Sequence, residues 1–155
     1  MGRDKPKLGA DPKSGQPRLG AQPDSYKTKR PVWRFSAFDW DGKWGLSACA
    51  SKQWRKHIEG HLASFETMTW AEIERAAGGK GDGKGNNSHP LSREKFSKAA
   101  RERLVNLNVL SDSFFSLRLE NTVRIYGIRE DNCLLVLWFD PYHFKGNQNA
   151  AYGWQ

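Results

Sequence analysis

His143 and Asp140 directly follow a long apolar run, and Arg118 and Arg124 stand shortly before it. Tyr126 lies two positions beyond Arg124, and His89 opens a basic stretch upstream. These residue types suit phosphodiester chemistry without a metal. Cleaving RNA through its own 2′-hydroxyl takes a base for that hydroxyl, an acid for the departing 5′-oxygen and a cation for the pentacoordinate phosphate. Imidazole serves the first two needs and guanidinium the third. His143 and His89 are therefore the candidate acid–base pair. Arg118 and Arg124 are the candidate phosphate cations, with Tyr126 and Lys145 in support.

Other chemistries find less footing. There is no GxSxG nucleophile elbow and no acidic cluster for a two-metal nuclease. Residues 78–84 nearly spell a phosphate loop, but Gly85 stands where Ser or Thr must hold magnesium. His57 and His61 share a helical face, yet Ile58 occupies the position where an HExxH site needs glutamate. Neither Cys49 nor Cys133 has a CxxC partner, so both are expected as reduced, buried thiols. No metal or cofactor is expected.

The elements that must position the set are legible in outline. Residues 114–119, 123–129 and 133–139 are three short runs of β-branched, aromatic and aliphatic residues. Glu120-Asn121 and Glu130-Asp131-Asn132 punctuate them. They predict a three-stranded antiparallel meander. Its last strand is apolar on both faces, as a strand covered on both sides must be. Upstream, residues 32–38 alternate, Asp41-Gly42 signals a tight turn, and residues 43–48 read as the returning strand of an opening hairpin.

Two or three helices fill the middle. Trp54, Ile58, Leu62 and Phe65 form one helical stripe. Thr69 and Glu72 spell a capping box for a second helix, ending at Gly78-Gly79. Ser92 is the expected N-cap of a third helix over residues 93–106. Arg93, Lys95, Lys98, Arg101 and Arg103 make that helix basic. Arg93, Lys95, Lys98 and Arg101, with Lys84 of the glycine-rich loop and Lys145, are the candidate contacts to a nucleic-acid backbone.

The element order, a hairpin or single strand, two helices and then an antiparallel meander with basic and aromatic residues, resembles the RelE/ParE toxin superfamily. The block Arg124-Ile125-Tyr126-Gly127-Ile128 followed by residues 136–143 also resembles the C-terminal end of small bacterial proteins often found near mobile elements. The resemblance implies an α+β, RelE-like fold and a small cytosolic toxin that cleaves messenger RNA, usually on the ribosome. It also implies an acidic antitoxin as partner. ParE-type members share the fold without cutting RNA. A non-catalytic protein- or nucleic-acid-binding module, such as a mobile-element inhibitor of a host enzyme, is therefore the alternative reading.

The 155 residues suffice for one domain with a modest core. Net charge is +8, which favours polyanionic partners. Eight Lys/Arg fall in residues 1–30 against three Asp, leaving 17 basic and 14 acidic residues elsewhere. Placement must therefore carry any basic-face argument. Residues 1–30, poor in large apolar groups, are expected to be a disordered basic arm. Residues 31–145 are the expected domain and 146–155 a flexible tail. No run is long enough to span a bilayer and the start lacks an apolar signal core, so a cytoplasmic location is expected.

Overall fold

A computed structural model describes residues 25–45, 54–76 and 88–154. Five strands, β1 (Val32–Arg34), β2 (His89–Ser92), β3 (Ser113–Arg118), β4 (Arg124–Glu130) and β5 (Cys133–Asp140), form one sheet. Their order is β1-β5-β4-β3-β2. β1 lies parallel to β5, and the other neighbours are antiparallel, so the sheet is mixed and the fold α+β. The sheet is thus larger than the three-stranded meander expected from the sequence.

Each face of the sheet carries its own core. On one face Phe115, Leu117, Ile125, Leu134 and Phe139 pack against Ile58, Leu62, Trp70 and Ile73. The last four come from a π-helical turn (Trp54–Glu59), α1 (Gly60–Phe65) and α2 (Trp70–Arg75). On the other face Phe114, Tyr126, Leu137 and Trp138 meet Phe96, Ala100 and Leu104, the last two from α3 (Lys98–Asn106). β5 is flanked by strands on both edges and covered on both faces. That is the environment in which an uninterrupted apolar strand is stable.

The capping box forms as its sequence implies. Thr69 Oγ1 accepts from the Glu72 amide at 3.3 Å, and Glu72 Oε1 accepts from the Thr69 amide at 2.8 Å. Of the stripe predicted for the first helix, Ile58 and Leu62 are buried and Phe65 packs against them, while the Trp54 side chain lies outside the described residues. The second helix ends at Arg75, where Ala76 leaves helical geometry, and Gly78-Gly79, its expected end, lie outside the described residues.

A bulge divides β5. Tyr126 pairs with Trp138 while Gly127 pairs with Val136, so Leu137 is the extra residue. Close backbone approach here requires glycine, because a Cβ on residue 127 would stand 2.4 Å from the Leu135 carbonyl oxygen.

Three expectations are corrected. First, the opening hairpin is replaced by a short strand beside β5, and residues 41–45 turn away from extended structure. The Asp39 carboxylate sets this path. Its oxygens accept from Arg103 Nε at 2.8 Å, Arg103 Nη2 at 2.6 Å and Trp138 Nε1 at 3.0 Å. The Asp39 amide donates to the Leu137 carbonyl at 3.0 Å, and the Phe139 amide donates to the Trp44 carbonyl at 2.8 Å. Residues 46–48 of the expected returning strand lie outside the described residues.

Second, residues 93–106 do not form one helix. His89–Ser92 is a strand, Arg93–Lys95 a 3-10 turn, and α3 starts only at Lys98. Ser97, not Ser92, is its N-cap, with Oγ accepting from the Ala100 amide at 3.1 Å. Third, the C-terminal segment is tied down. The Ser97 amide donates to the Ala151 carbonyl at 2.7 Å, and the Gly153 amide to the Lys95 carbonyl at 2.8 Å. Trp44 Nε1 donates to the Asn149 carbonyl at 2.8 Å.

Among the described residues no helix is long and apolar enough to cross a membrane. Cys133 is a free, half-buried thiol, and Cys49 lies outside the described residues.

Replacing Asp39 by alanine strips the buried Trp138 Nε1 of its acceptor and leaves Arg103 without its carboxylate. The expected loss is about 1–3 kcal/mol of stability, the cost of an orphaned buried donor. Urea denaturation of the Asp39→Ala chain reads it, and an unchanged midpoint would contradict the clamp.

Candidate functional site

Two cross-strand rows assemble the site. In one, His89 faces Ser116, Ser116 faces Tyr126 and Tyr126 faces Trp138. In the next, Arg118 faces Arg124 and Arg124 faces Asp140. The rows are two residues apart along each strand, so both stand on the same face of the sheet. That is the face covered by α3. The chain leaving β5 at Pro141 brings His143 back over these rows, where its amide donates to the Thr122 carbonyl at 2.9 Å.

His143 and Tyr126 meet directly, with Nδ1 and Oη 3.0 Å apart. Tyr126 is fully buried, and burial, reinforced by Asp140, raises its pKa far above the ordinary phenol value. It is neutral at any physiological pH. Burial also lowers the pKa of His143 to about 4, with Arg124 and His89 adding to the effect through their charge. His143 is therefore a neutral imidazole near pH 7, able to accept a proton or donate a hydrogen bond. Its ring is walled by aromatics, with centroid distances of 5.3 Å to Tyr152 and 5.1 Å to Trp154. His89 is half-buried, and its Nδ1 lies 2.8 Å from the Pro90 carbonyl oxygen.

The two arginines differ. Arg124 is only 7% exposed, and its Nη1 donates to the Glu120, Asn121 and Val123 carbonyls at 2.7, 3.1 and 3.2 Å. Burial brings its pKa down to about 10, which leaves it charged at neutral pH. Its charge is thus spent on closing the β3–β4 turn rather than offered to a ligand. Arg118 is half-buried at the rim, with Nη2 donating to Asn121 Oδ1 at 2.6 Å and Nε to the Glu120 carbonyl at 3.3 Å.

Asp140 completes the cluster from beneath. It is fully buried and accepts from the Tyr142 and Ala151 amides, both at 2.8 Å. Burial raises its pKa to about 6, against the pull of those two amides and of Arg124.

The candidate backbone contacts are dispersed. Arg93 Nη1 donates to the Val109 and Ser111 carbonyls at 2.7 and 2.9 Å. Arg101 Nη1 donates to the Phe96 carbonyl at 2.7 Å. These two guanidiniums hold the turns around α3. Lys95, Lys98 and Lys145 are exposed, and Lys98 stands 3.9 Å from Glu102. Lys84 lies outside the described residues. Among the described residues no group of three or more His, Cys, Asp or Glu could hold a metal ion. His61 instead meets Glu120, with Nε2 3.2 Å from Oε2.

Sequence reasoning passed over Tyr152 and Trp154. The available signal was their isolation as the only large side chains in an otherwise polar tail.

No protein-family model, curated protein or solved structure significantly matches the chain. The site must be read from its own geometry.

Asp140 and His143 pull stability in opposite directions with pH. Asp140 has a folded pKa raised from 3.8 to about 6, so its contribution is full below 3.8 and lost as pH rises through 6. His143 has a folded pKa lowered from 6.5 to about 4, so its contribution is full above 6.5 and lost as pH falls through 4. The His143→Gln chain should therefore gain stability, relative to the parent, as pH falls across that window. The Asp140→Asn chain should lose it. Urea midpoints at several pH values check both signs.

Proposed function

We propose that the chain acts on RNA as a metal-independent endoribonuclease of toxin type, with a RelE-like arrangement of its sheet. The observation that supports this is a neutral His143, bonded to Tyr126 and close enough to His89 to feel its charge, on the sheet face whose rows carry His89 and Arg118. His143 takes the proton of the ribose 2′-hydroxyl. The 2′-oxygen attacks the adjacent phosphorus, and the 5′-oxygen departs with a proton from His89. The products are a 2′,3′-cyclic phosphate and a 5′-hydroxyl. Arg118, the arginine at the rim, faces the developing phosphate charge. Arg124 is a positioning residue that shapes the turn beneath it. An acidic antitoxin-like protein is the partner that this reading implies.

The base role fixes a tautomer. Nδ1–H must donate to Tyr126 Oη so that the Nε2 lone pair faces the substrate. Nitrogen-15 spectra at pH 7 should show His143 protonated on Nδ1. Protonation on Nε2 would reverse its role to donor.

Single-stranded RNA incubated with the purified chain should yield cyclic-phosphate ends. His143→Ala and His89→Ala should each reduce the rate by about 10²–10⁴-fold, the usual weight of a general acid or base. The limb of the pH–rate profile that belongs to the base should lie near pH 4 rather than 6.5. Folded variants that cut as fast as the parent would sink the reading.

A non-catalytic RNA-binding module is the second reading. It is favoured by the bonds of Arg124 to main-chain carbonyls, which take one candidate phosphate cation out of a catalytic set. It predicts binding that weakens steeply with salt while every phosphodiester stays intact.

A further inference from the structure

Tyr152 and Trp154 lie outside the acid–base set, yet they stand beside it with their ring centroids 4.7 Å apart. They are not carried by a loose end. Tyr152 forms a β-bridge with Phe96, and the flanking Ala151 and Gly153 bond to Ser97 and Lys95. Trp154 is 37% exposed, more than a core tryptophan would be. One side of the pair meets His143. The pair also lines a groove of about 480 Å³, together with Lys98, Asn147 and Gln148.

The lining has the chemistry of a nucleobase site. Two aromatic rings offer stacking faces that any base can use. The amide groups of Asn147 and Gln148 bring the donors and acceptors that read base edges. The Lys98 ammonium can meet a neighbouring phosphate. A base within a duplex is stacked on both sides and cannot enter, so the ligand is single-stranded.

We infer that Tyr152, Trp154 and this groove form a stacking subsite for a base next to the scissile phosphate of single-stranded RNA. This rests on the proposed action on RNA and adds which part of the substrate is gripped. His143 then lies within one nucleotide's span of the stacked base.

The test uses the full chain and a short 2′-fluoro RNA strand, which lacks the attacking hydroxyl and cannot be cut. An abasic strand of equal length serves as control. Trp154→Ala should weaken binding of the base-bearing strand roughly tenfold, the weight of one stacked base. Trp154→Phe should restore most of it, and the abasic strand should bind both chains alike. Equal binding of the base-bearing strand by parent and Trp154→Ala overturns the subsite. So does an equal loss on the abasic strand, or a parent that binds neither strand. Cleavage of ordinary RNA, measured in parallel, separates the two ideas. Trp154-dependent binding without His143-dependent cleavage removes the ribonuclease and keeps the subsite. His143-dependent cleavage with unaltered Trp154→Ala binding removes the subsite alone.

Discussion

A carboxylate with no exposed surface sits at the end of β5, and two main-chain amides hold it. Asp140 accepts one hydrogen bond from Tyr142, two residues on, and one from Ala151, eleven residues on. The first sets how the chain leaves the strand, which decides where His143 lands. The second pulls the C-terminal segment against the sheet, which decides where Tyr152 and Trp154 land. A buried anion is tolerable only when it is satisfied, so the segment that supplies the amides is fixed with it. The candidate site and its aromatic wall are consequences of that one demand.

The same low-polarity setting explains the electrostatics. Arg124 and Asp140 face each other across β4 and β5, and both are buried. Each shifts toward neutrality because burial opposes charge, and each is moderated by the other. His143 lies above them and is kept neutral by burial and by the Arg124 charge. The fold thus keeps a proton acceptor uncharged beside a permanent cation. On the opposite face, Arg129 plays a purely structural part. It lies over the Tyr26 ring at 3.7 Å and donates to Glu74 at 2.7 Å. Among the described residues, Arg93, Arg101, Arg103, Arg124 and Arg129 are tied within the fold rather than offered as a surface for polyanions.

What could be read from the sequence was what is local. The Thr69–Glu72 capping box needs only four residues to form, so its letters suffice. The burial of β5 on both faces was visible in its unbroken apolar run. The opening hairpin was misread because Asp41-Gly42 is a local turn signal. The Asp39 carboxylate, by contrast, answers to Arg103 and Trp138, 64 and 99 positions away. The long third helix was misread because strand pairing of His89–Ser92 with β3 outweighs the pull of Ser92 as a cap. The residue types of the site were legible, but the fate of Arg124 was not. Its acceptors are carbonyl oxygens, which every residue has and no sequence pattern marks.

The extra residue in β5 has a bearing on how the chain can vary. Strand side chains alternate, so a one-residue slip sends every later side chain to the opposite face. Leu137 supplies that slip, and it is why Trp138 and Asp140 share a face with Tyr126 and Arg124. Related chains could exchange the side chain at 137 for another apolar group. They could not drop the position itself, because losing it would turn Asp140 away from Ala151. At the bulge, the number of residues matters more to the site than which apolar side chain stands there.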